Sequence, residues 1–324
     1  GGARSRALMD GVPLSDGFGG WVPWNMVPTD IVDRVEVLLG ASSSQYGSNA
    51  MGGAVNVITR SPKERAADIN LSYGSRNTKI VNAYASDAFL NKFGLSVDYN
   101  YYTTDGYQWL QPEKRGPVDQ NATARNWTLH VKAASLESGE GGPLWFVRGI
   151  VFHDERNHGL ADWYDSRDVL QGAAGFHRPL EAGGEVRGHA FFGTHLLDST
   201  NAAVGGGAAR TSQARYVRNY LPSRDGGASL QWSRPFEAPA SSMTIGVDLR
   251  HTAARNDEED YSTTGVYERS LSSGGQQTTV GFFGQWAVTP IPDLIVAPSA
   301  RVDYWQNHDA FQIDAAGRAP IPAK

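Results

Sequence analysis

Two short stretches near the start of the chain alternate apolar and polar positions with a period of two. Val35 and Val37 alternate with Arg34 and Glu36 ahead of Leu38 and Leu39, and Val55, Val57 and Thr59 alternate with Asn56, Ile58 and Arg60. That period is the mark of a half-buried strand. A Gly/Ser/Asn-rich hairpin joins the two, and Gly40, Gly47, Gly52 and Gly53 provide positions where the backbone can take positive φ or approach another strand closely.

From Ala67 onward the pattern changes to longer alternating segments. Eleven strands are expected near 67–74, 79–89, 92–103, 124–137, 143–154, 167–179, 184–197, 224–236, 242–255, 276–289 and 293–306. Phe93, Leu95, Val97, Tyr99 and Tyr101 share one face of the third, and Trp127, Leu129, Val131 and Ala133 oppose Thr128, His130 and Lys132 on the fourth. Met243, Ile245, Val247 and Leu249 oppose Thr244, Gly246, Asp248 and Arg250 in the same way. The lengths suit tilted strands that cross a bilayer. The connections sort by size. Short ones (91–92, 138–142, 181–183, 237–241, 290–292) alternate with long ones (104–123, 155–166, 198–223, 256–275), and only 75–78 breaks the rule. Tight turns at one rim and long loops at the other are the pattern of an outer-membrane barrel. Tyr73, Tyr84, Trp145, Trp232, Phe236, Trp286, Tyr304 and Trp305 lie near expected strand ends, where interfacial aromatic girdles form.

The segment 31–62, IVDRVEVLLGASSSQYGSNAMGGAVNVITRSP, resembles the rear half of the plug domain of TonB-dependent outer-membrane receptors, and LMDGVPL at 8–14 fits the same family's upstream strand at its usual spacing. The residues that carry the resemblance are Asp10, Gly11, Glu36, Gly40, Tyr46, Gly47, Gly52, Gly53 and Asn56. It implies a mostly β fold in which an α+β plug fragment precedes antiparallel transmembrane β-barrel strands, about eleven of an expected twenty-two. The expected divisions are residues 1–62 for the rear of the plug, 63–66 for the joint and 67–324 for the wall. The chain shows no apolar signal segment at its start and no final aromatic strand, so a fragment is expected, without its signal peptide and TonB box.

Composition narrows the function. Charge is −5 and cysteine is absent, which argues against a nucleic-acid partner and removes disulfides, thiolate nucleophiles and Cys-zinc sites. A mean hydropathy of −0.40 looks soluble, yet transmembrane strands give only half their residues to lipid. No apolar run reaches six residues, which leaves no room for a transmembrane helix. No catalytic constellation emerges. His153 and His158 are five apart and read as a solvated loop. Residues 40–44 lack the closing glycine of a nucleophile elbow, 205–207 form a loop tip, and Asp257, Glu258, Glu259 and Asp260 form an acidic external loop. No enzyme activity, cofactor or metal is expected.

Residues 16–25 put Phe18, Trp21, Trp24 and Asn25 on a Gly/Pro-rich backbone that cannot bury them in regular structure. The resemblance implies that such an apical loop touches ligand in the outer vestibule, with Tyr107, Trp109, Trp163 and Tyr164 as secondary candidates. It further implies capture of a scarce small molecule and uptake driven by the TonB energy-transducing complex, across an outer membrane whose lipid surrounds the wall. A ferric siderophore is the default ligand; cobalamin, haem, nickel complexes and oligosaccharides are the alternatives. Arg34, Glu36 and Arg60 are expected to meet wall charges such as Asp98, Lys132, Asp248, Arg250, Arg301 and Asp303 in hydrated pairs, each worth about 0–1 kcal/mol. A passive porin would lack the 31–62 segment, and a soluble β-rich adhesin or enzyme would lack sorted loops and apolar outward faces.

Overall fold

In the computed structural model, residues 5–39, 50, 52–139, 142–181, 183–237, 241–291 and 293–314 are described, and they form two principal sheets. The first is small. It contains β1 (Ser5–Met9), β2 (Val12–Pro13), β3 (Val32–Leu39) and β4 (Gly53–Thr59), in the spatial order β2-β1-β4-β3. β1 runs parallel to β4, while β1–β2 and β3–β4 are antiparallel. Asp10 and Gly11 make the two-residue β1–β2 turn with φ of 50° and 82°. Asp-Gly is the pair best suited to a turn with positive φ at both central residues. Among the described residues, helix is confined to short 3-10 turns such as Trp24–Met26 and Thr29–Ile31, each of these two opened by a proline. Gly40, Tyr46 and Gly47, three of the motif residues, lie outside the described residues, as do 41–44.

The second sheet is one antiparallel wall. It comprises β5 (Ala66–Gly74), β6 (Thr78–Phe89), β7 (Phe93–Tyr107), β8 (Ala122–Ser135), β11 (Trp145–Leu160), β12 (Trp163–Pro179), β13 (Glu185–Gly205), β14 (Ser212–Phe236), β15 (Ser241–Tyr261), β16 (Tyr267–Ile291), β17 (Leu294–Val296) and β18 (Ser299–Asp314). β17 and β18 lie end to end against β16, so the twelve strands make eleven rungs. A small hairpin of β9 (Ser138–Gly139) and β10 (Gly142–Pro143) sits between β8 and β11.

The wall's two faces differ as the alternation requires. On β8, Asn126, Thr128, His130 and Lys132 are buried against the small sheet, while Trp127, Leu129 and Val131 point the other way. On β12, Val169, Gln171 and Ala173 are buried and Leu170 and Phe176 are exposed. The inward face carries the polar residues and the outward face the apolar ones, the inverse of a soluble sandwich. The main core joins the two sheets: Ala7, Met9, Leu14 and Met26 pack on Ile150, Phe152 and Val169.

Several expectations are corrected. Of the four long loops, only one stays long, at 108–121; the others shrink to 161–162, 206–211 and 262–266 because the ladders continue. β14 and β16 reach 25 residues each. At about 3.3 Å per residue that is roughly 80 Å of strand, far more than a hydrocarbon core of about 30 Å requires even with tilt. Beyond the apolar band the outward positions become charged, as at Asp198, Arg218 and Glu259, so the hydrophobic alternation ends while the hydrogen-bonded register goes on. Asp257 and Asp260 accordingly sit on β15, paired with Arg255 at 2.9 Å and Arg269 at 2.6 Å, rather than in a loop. His153 and His158 are likewise on β11, paired across the hairpin with Asp168 and Asp165. Tyr84 is buried beneath Arg60, and Trp305 lines the inner recess beside Asp303, so neither belongs to a girdle.

Candidate functional site

Where hydrated plug–wall pairs are expected, the structure has a buried clamp. Asp10 sits in the β1–β2 turn with its carboxylate turned to the wall. Its Oδ1 accepts the Thr59 N–H at 2.9 Å and its Oδ2 accepts the Thr59 hydroxyl at 2.7 Å. Lys132 Nζ on β8 and Arg148 Nε on β11 each approach Oδ2 at 3.5 Å, and all three charged side chains are nearly inaccessible. Lys132 Nζ also donates to Thr59 Oγ1 at 2.7 Å and to the Thr59 carbonyl at 3.2 Å. Arg148 donates to the Met9 carbonyl at 2.9 Å and to Gln171 Oε1 at 3.1 Å, and Gln171 donates to the Pro13 carbonyl at 3.0 Å. One carboxylate thus answers two buried cations, and their other hydrogen bonds go to the Met9 and Thr59 carbonyls, the Thr59 hydroxyl and Gln171, which lowers the cost of burying the charge.

Of the side chains expected to make those pairs, Lys132 does meet the small sheet, through Asp10 and Thr59, while most of the others are placed elsewhere. Arg34 pairs with Glu36 at 2.9 Å and Asp33 at 3.1 Å, all half exposed. Desolvation works against its charge, but hydrogen bonds to Glu36 and Asp33 and their negative charges together outweigh it and hold the guanidinium charged more firmly than usual. Arg60 lies over the Tyr84 ring at 5.7 Å. Asp98 is buried with neither carboxylate oxygen hydrogen-bonded among the described residues. Asp248 and Asp303 pair with Arg301, within the wall. The motif residues Gly11, Asn56 and Glu36 form a chain: the Gly11 N–H donates to Asn56 Oδ1 at 3.1 Å, and Asn56 Nδ2 donates to Glu36 Oε2 at 3.2 Å. Gly53 has φ of 128°, and a Cβ there would collide with the Leu38 carbonyl. Gly52 is exposed at the start of β4.

The loop 16–25 is organised by a residue that sequence reasoning passed over. Asp16 is buried, and its carboxylate accepts the N–H groups of Phe18 at 2.9 Å, Gly19 at 2.6 Å and Trp21 at 2.9 Å. An Asp followed by Gly-rich sequence was the available signal, since Asx side chains cap their own following amides. The loop is pinned to the wall as well. Arg250 donates to the Ser15 carbonyl at 3.2 Å, Thr128 donates to the Asn25 carbonyl at 3.4 Å, and Gly17 lies against Thr252 and Asp225. Phe18, Trp21 and Trp24 stay 45%, 48% and 53% exposed on this fixed backbone, and Asn25 is exposed beside them.

A recess of about 840 Å³ opens beside residues 15–20 of this loop, between Arg6 and the inner faces of β15, β16 and β18. Its charged lining is Arg6, Arg250 and Arg301 against Asp16, Asp248 and Asp303, with Trp305 and Asn307 completing the wall. The secondary aromatics form a separate group at the hairpin tips. Tyr107 and Trp109 stack with centroids 6.5 Å apart, and Trp163 lies 5.3 Å from His158. The Tyr164 N–H donates to Thr200 Oγ1 at 3.1 Å. No ring contact joins the two groups among the described residues. The 108–121 loop reaches over to the 206–211 turn, where Arg210 donates to Asp119 at 2.7 and 2.5 Å. That hydrogen bond is the main reason the Asp119 carboxyl is held below the usual carboxylate range. Among the described residues, no cluster of three or more acidic or imidazole ligands suits a metal ion, and no helix is long and apolar enough to cross a membrane.

Residues 1–54 match the family described as TonB-dependent Receptor Plug Domain. The chain is 35% identical over 107 residues to the vitamin B12 transporter BtuB of Vibrio vulnificus, covering 33% of this chain and 18% of that protein. It is 30% identical over 146 residues to a Vibrio cholerae protein of the same name, covering 40% of this chain and 24% of that protein. These alignments span a quarter or less of those relatives. Among solved structures, the pyoverdine outer membrane receptor FpvA of Pseudomonas aeruginosa is similar with TM-score 0.73 at 11% identity, over 95% of this chain and 51% of that one. The ferric yersiniabactin uptake receptor FyuA of Yersinia pestis gives 0.71 at 14% identity, over 96% and 51%. At such identity the likeness is one of fold, and the chain spans about half the length of either receptor.

Proposed function

Since the chain belongs to the TonB-dependent receptor family, we propose that it acts in an outer-membrane receptor that captures a scarce small molecule and takes it up with energy from the TonB complex. In this reading residues 1–62 belong to the plug, 63–66 are the joint, and 67–324 are wall in contact with outer-membrane lipid. The supporting observation is the loop 16–25: three exposed aromatic rings on a backbone fixed by Asp16 and by the wall, of which Phe18 lines a recess of about 840 Å³. Large rings held still on a rigid loop bind with little ordering cost. Phe18, Trp21, Trp24 and Asn25 are the proposed first contacts, and Tyr107, Trp109, Trp163 and Tyr164 the outer ones.

The charge of the recess supports one ligand class. Three arginines face three aspartates in the recess lining, so its formal charge is balanced. That supports a large ligand of low net charge, and the relatives at 30–35% identity are named vitamin B12 transporters. We therefore place a corrinoid first. A ferric siderophore, the default from the sequence, is the competing reading. Uptake of labelled cyanocobalamin and of a panel of labelled ferric siderophores, in cells carrying this gene and lacking their own receptors, decides between them. TonB-dependent cobalamin uptake that Trp21→Ala lowers is the expected result. Uptake of a siderophore alone overturns the corrinoid reading, and no TonB-dependent uptake of any probe overturns the function.

A further inference from the structure

The charged lining of the recess beside the apical loop is satisfied internally. Arg301 pairs with Asp248 at 2.7 Å and with Asp303 at 2.6 Å. Arg250 pairs with Asp225 at 2.6 Å and donates to the Ser15 carbonyl at 3.2 Å. Asp16 accepts three N–H groups of its own loop, and Arg6, the third cation, is engaged as well. An anion entering the recess would lose hydration and meet guanidinium groups that already have partners, and a cation would meet carboxylates in the same state. The hydrogen-bonding capacity left to a ligand is therefore neutral.

That neutral capacity is concentrated in one pair of amides. Gln277 on β16 and Asn307 on β18 are directly opposed in the ladder, and both line the recess. The pair stands next to the apical loop: Gln277 is opposite Thr252 on β15, and a Cβ on Gly17 would collide with the Thr252 side chain. Gln277 Nε2 donates to Asn307 Oδ1 at 3.0 Å, the single hydrogen bond that either side chain makes among the described residues. Both residues are exposed, so the Gln277 carbonyl oxygen and the Asn307 NH2 group are left for a ligand. One acceptor and one donor complement a primary carboxamide, which supplies both, and the complement is the same if both amides are turned over. Phe18 and Trp305, 45% and 62% exposed in the same recess, offer apolar faces to the body that carries such a group. A carboxylate of the same size only accepts. It would face Gln277 Oε1 as one acceptor against another, with its charge unanswered.

We propose that Gln277 and Asn307 are specificity-determining residues of the recess, which read a primary carboxamide on the rim of the ligand and discriminate against the corresponding acid. The proposal deepens the corrinoid reading and rests on it, since a corrinoid carries several such amides at its edge. The test is titration calorimetry of the whole receptor near neutral pH, with cyanocobalamin and its monocarboxylic acid derivatives, in each of which one peripheral carboxamide is hydrolysed. Wild type should bind at least one of the acids roughly 10- to 100-fold more weakly than cyanocobalamin. Gln277→Leu should weaken cyanocobalamin binding by roughly 3- to 10-fold and shrink the ratio of amide to acid affinity. Gln277→Lys, which supplies a cation, should shrink that ratio by roughly tenfold or more. Asn307→Leu should reproduce the effect of Gln277→Leu, and a melting curve shows which variants are folded. Equal binding of all these ligands by wild type, or an unchanged ratio in the folded variants, overturns the subsite and leaves the corrinoid reading intact. Absence of cyanocobalamin binding to wild type overturns both.

Discussion

Replacing Asp10 by asparagine should loosen the plug from the wall more than any other single polar change in the interface. The carboxylate is the only anion within 4 Å of Lys132 and Arg148 among the described residues, and both cations are buried to 2% or less side-chain exposure. Removing it leaves two buried charges with neutral partners only, a loss of about 3–5 kcal/mol. In native-state hydrogen exchange that corresponds to roughly 10²- to 10⁴-fold faster exchange of the β1–β4 amides, at 1.36 kcal/mol per tenfold. Lys132→Met in the Asp10→Asn background should recover part of the loss, because an unpaired buried cation is then gone. Glu36→Gln is the control: its pair with Arg34 is half exposed and worth about 0–1 kcal/mol, so exchange should change less than about fivefold. Acceleration below tenfold in Asp10→Asn, or zero coupling with Lys132, would refute a clamp made by this carboxylate.

Three further outcomes follow from particular contacts. Trp21→Ala should weaken ligand binding by about 2 kcal/mol, roughly 30-fold, with unchanged thermal stability because the ring is half exposed; titration calorimetry and a melting curve separate the two effects. Gly94→Ala should destabilise the packing of Pro62 on β7 by about 1–3 kcal/mol, since its Cβ would overlap the Pro62 carbonyl oxygen, and a lowered melting temperature reports it. For the 108–121 loop, the Asp119 carboxyl is held low by Arg210, so its contribution is fully present above the ordinary carboxylate range and is lost as pH falls through the lowered value. Exchange of the Gly116 amide, which Asp119 accepts at 2.8 Å, should stay constant from pH 8 down to about 5 after correction for intrinsic rates, and protection should fail only in stronger acid. Asp119→Asn should remove that acid transition.

What the sequence discloses, and what it hides, follows from which residues carry a periodic signal. The apolar band of the wall is legible because Trp127, Leu129 and Val131, or Ile245, Val247 and Leu249, mark alternate positions. The same strands above the band are illegible, because Asp198, Arg218 and Glu259 keep the register with no apolar residue to announce it. Asp10 and Gly11 are readable as motif, yet the cations that Asp10 answers lie more than 120 residues away, and nothing local distinguishes Lys132 and Arg148 from other inward charges. The exposed rings of the apical loop follow from its Gly and Pro content. The role of Asp16 depends on amide directions that only the folded loop defines.

The central requirement is that β12 present alternate residues to lipid and to the plug. Since residues 1–324 hold no cysteine, single-cysteine spin labels at positions 169–174, with any cysteine elsewhere in the receptor replaced, can be read in bilayers against lipid-soluble oxygen and a water-soluble nickel chelate. Positions 170, 172 and 174 should be open to oxygen and closed to the chelate, and 169, 171 and 173 closed to both. Chelate access at the even positions, or loss of the alternation, would contradict a membrane wall packed over a plug.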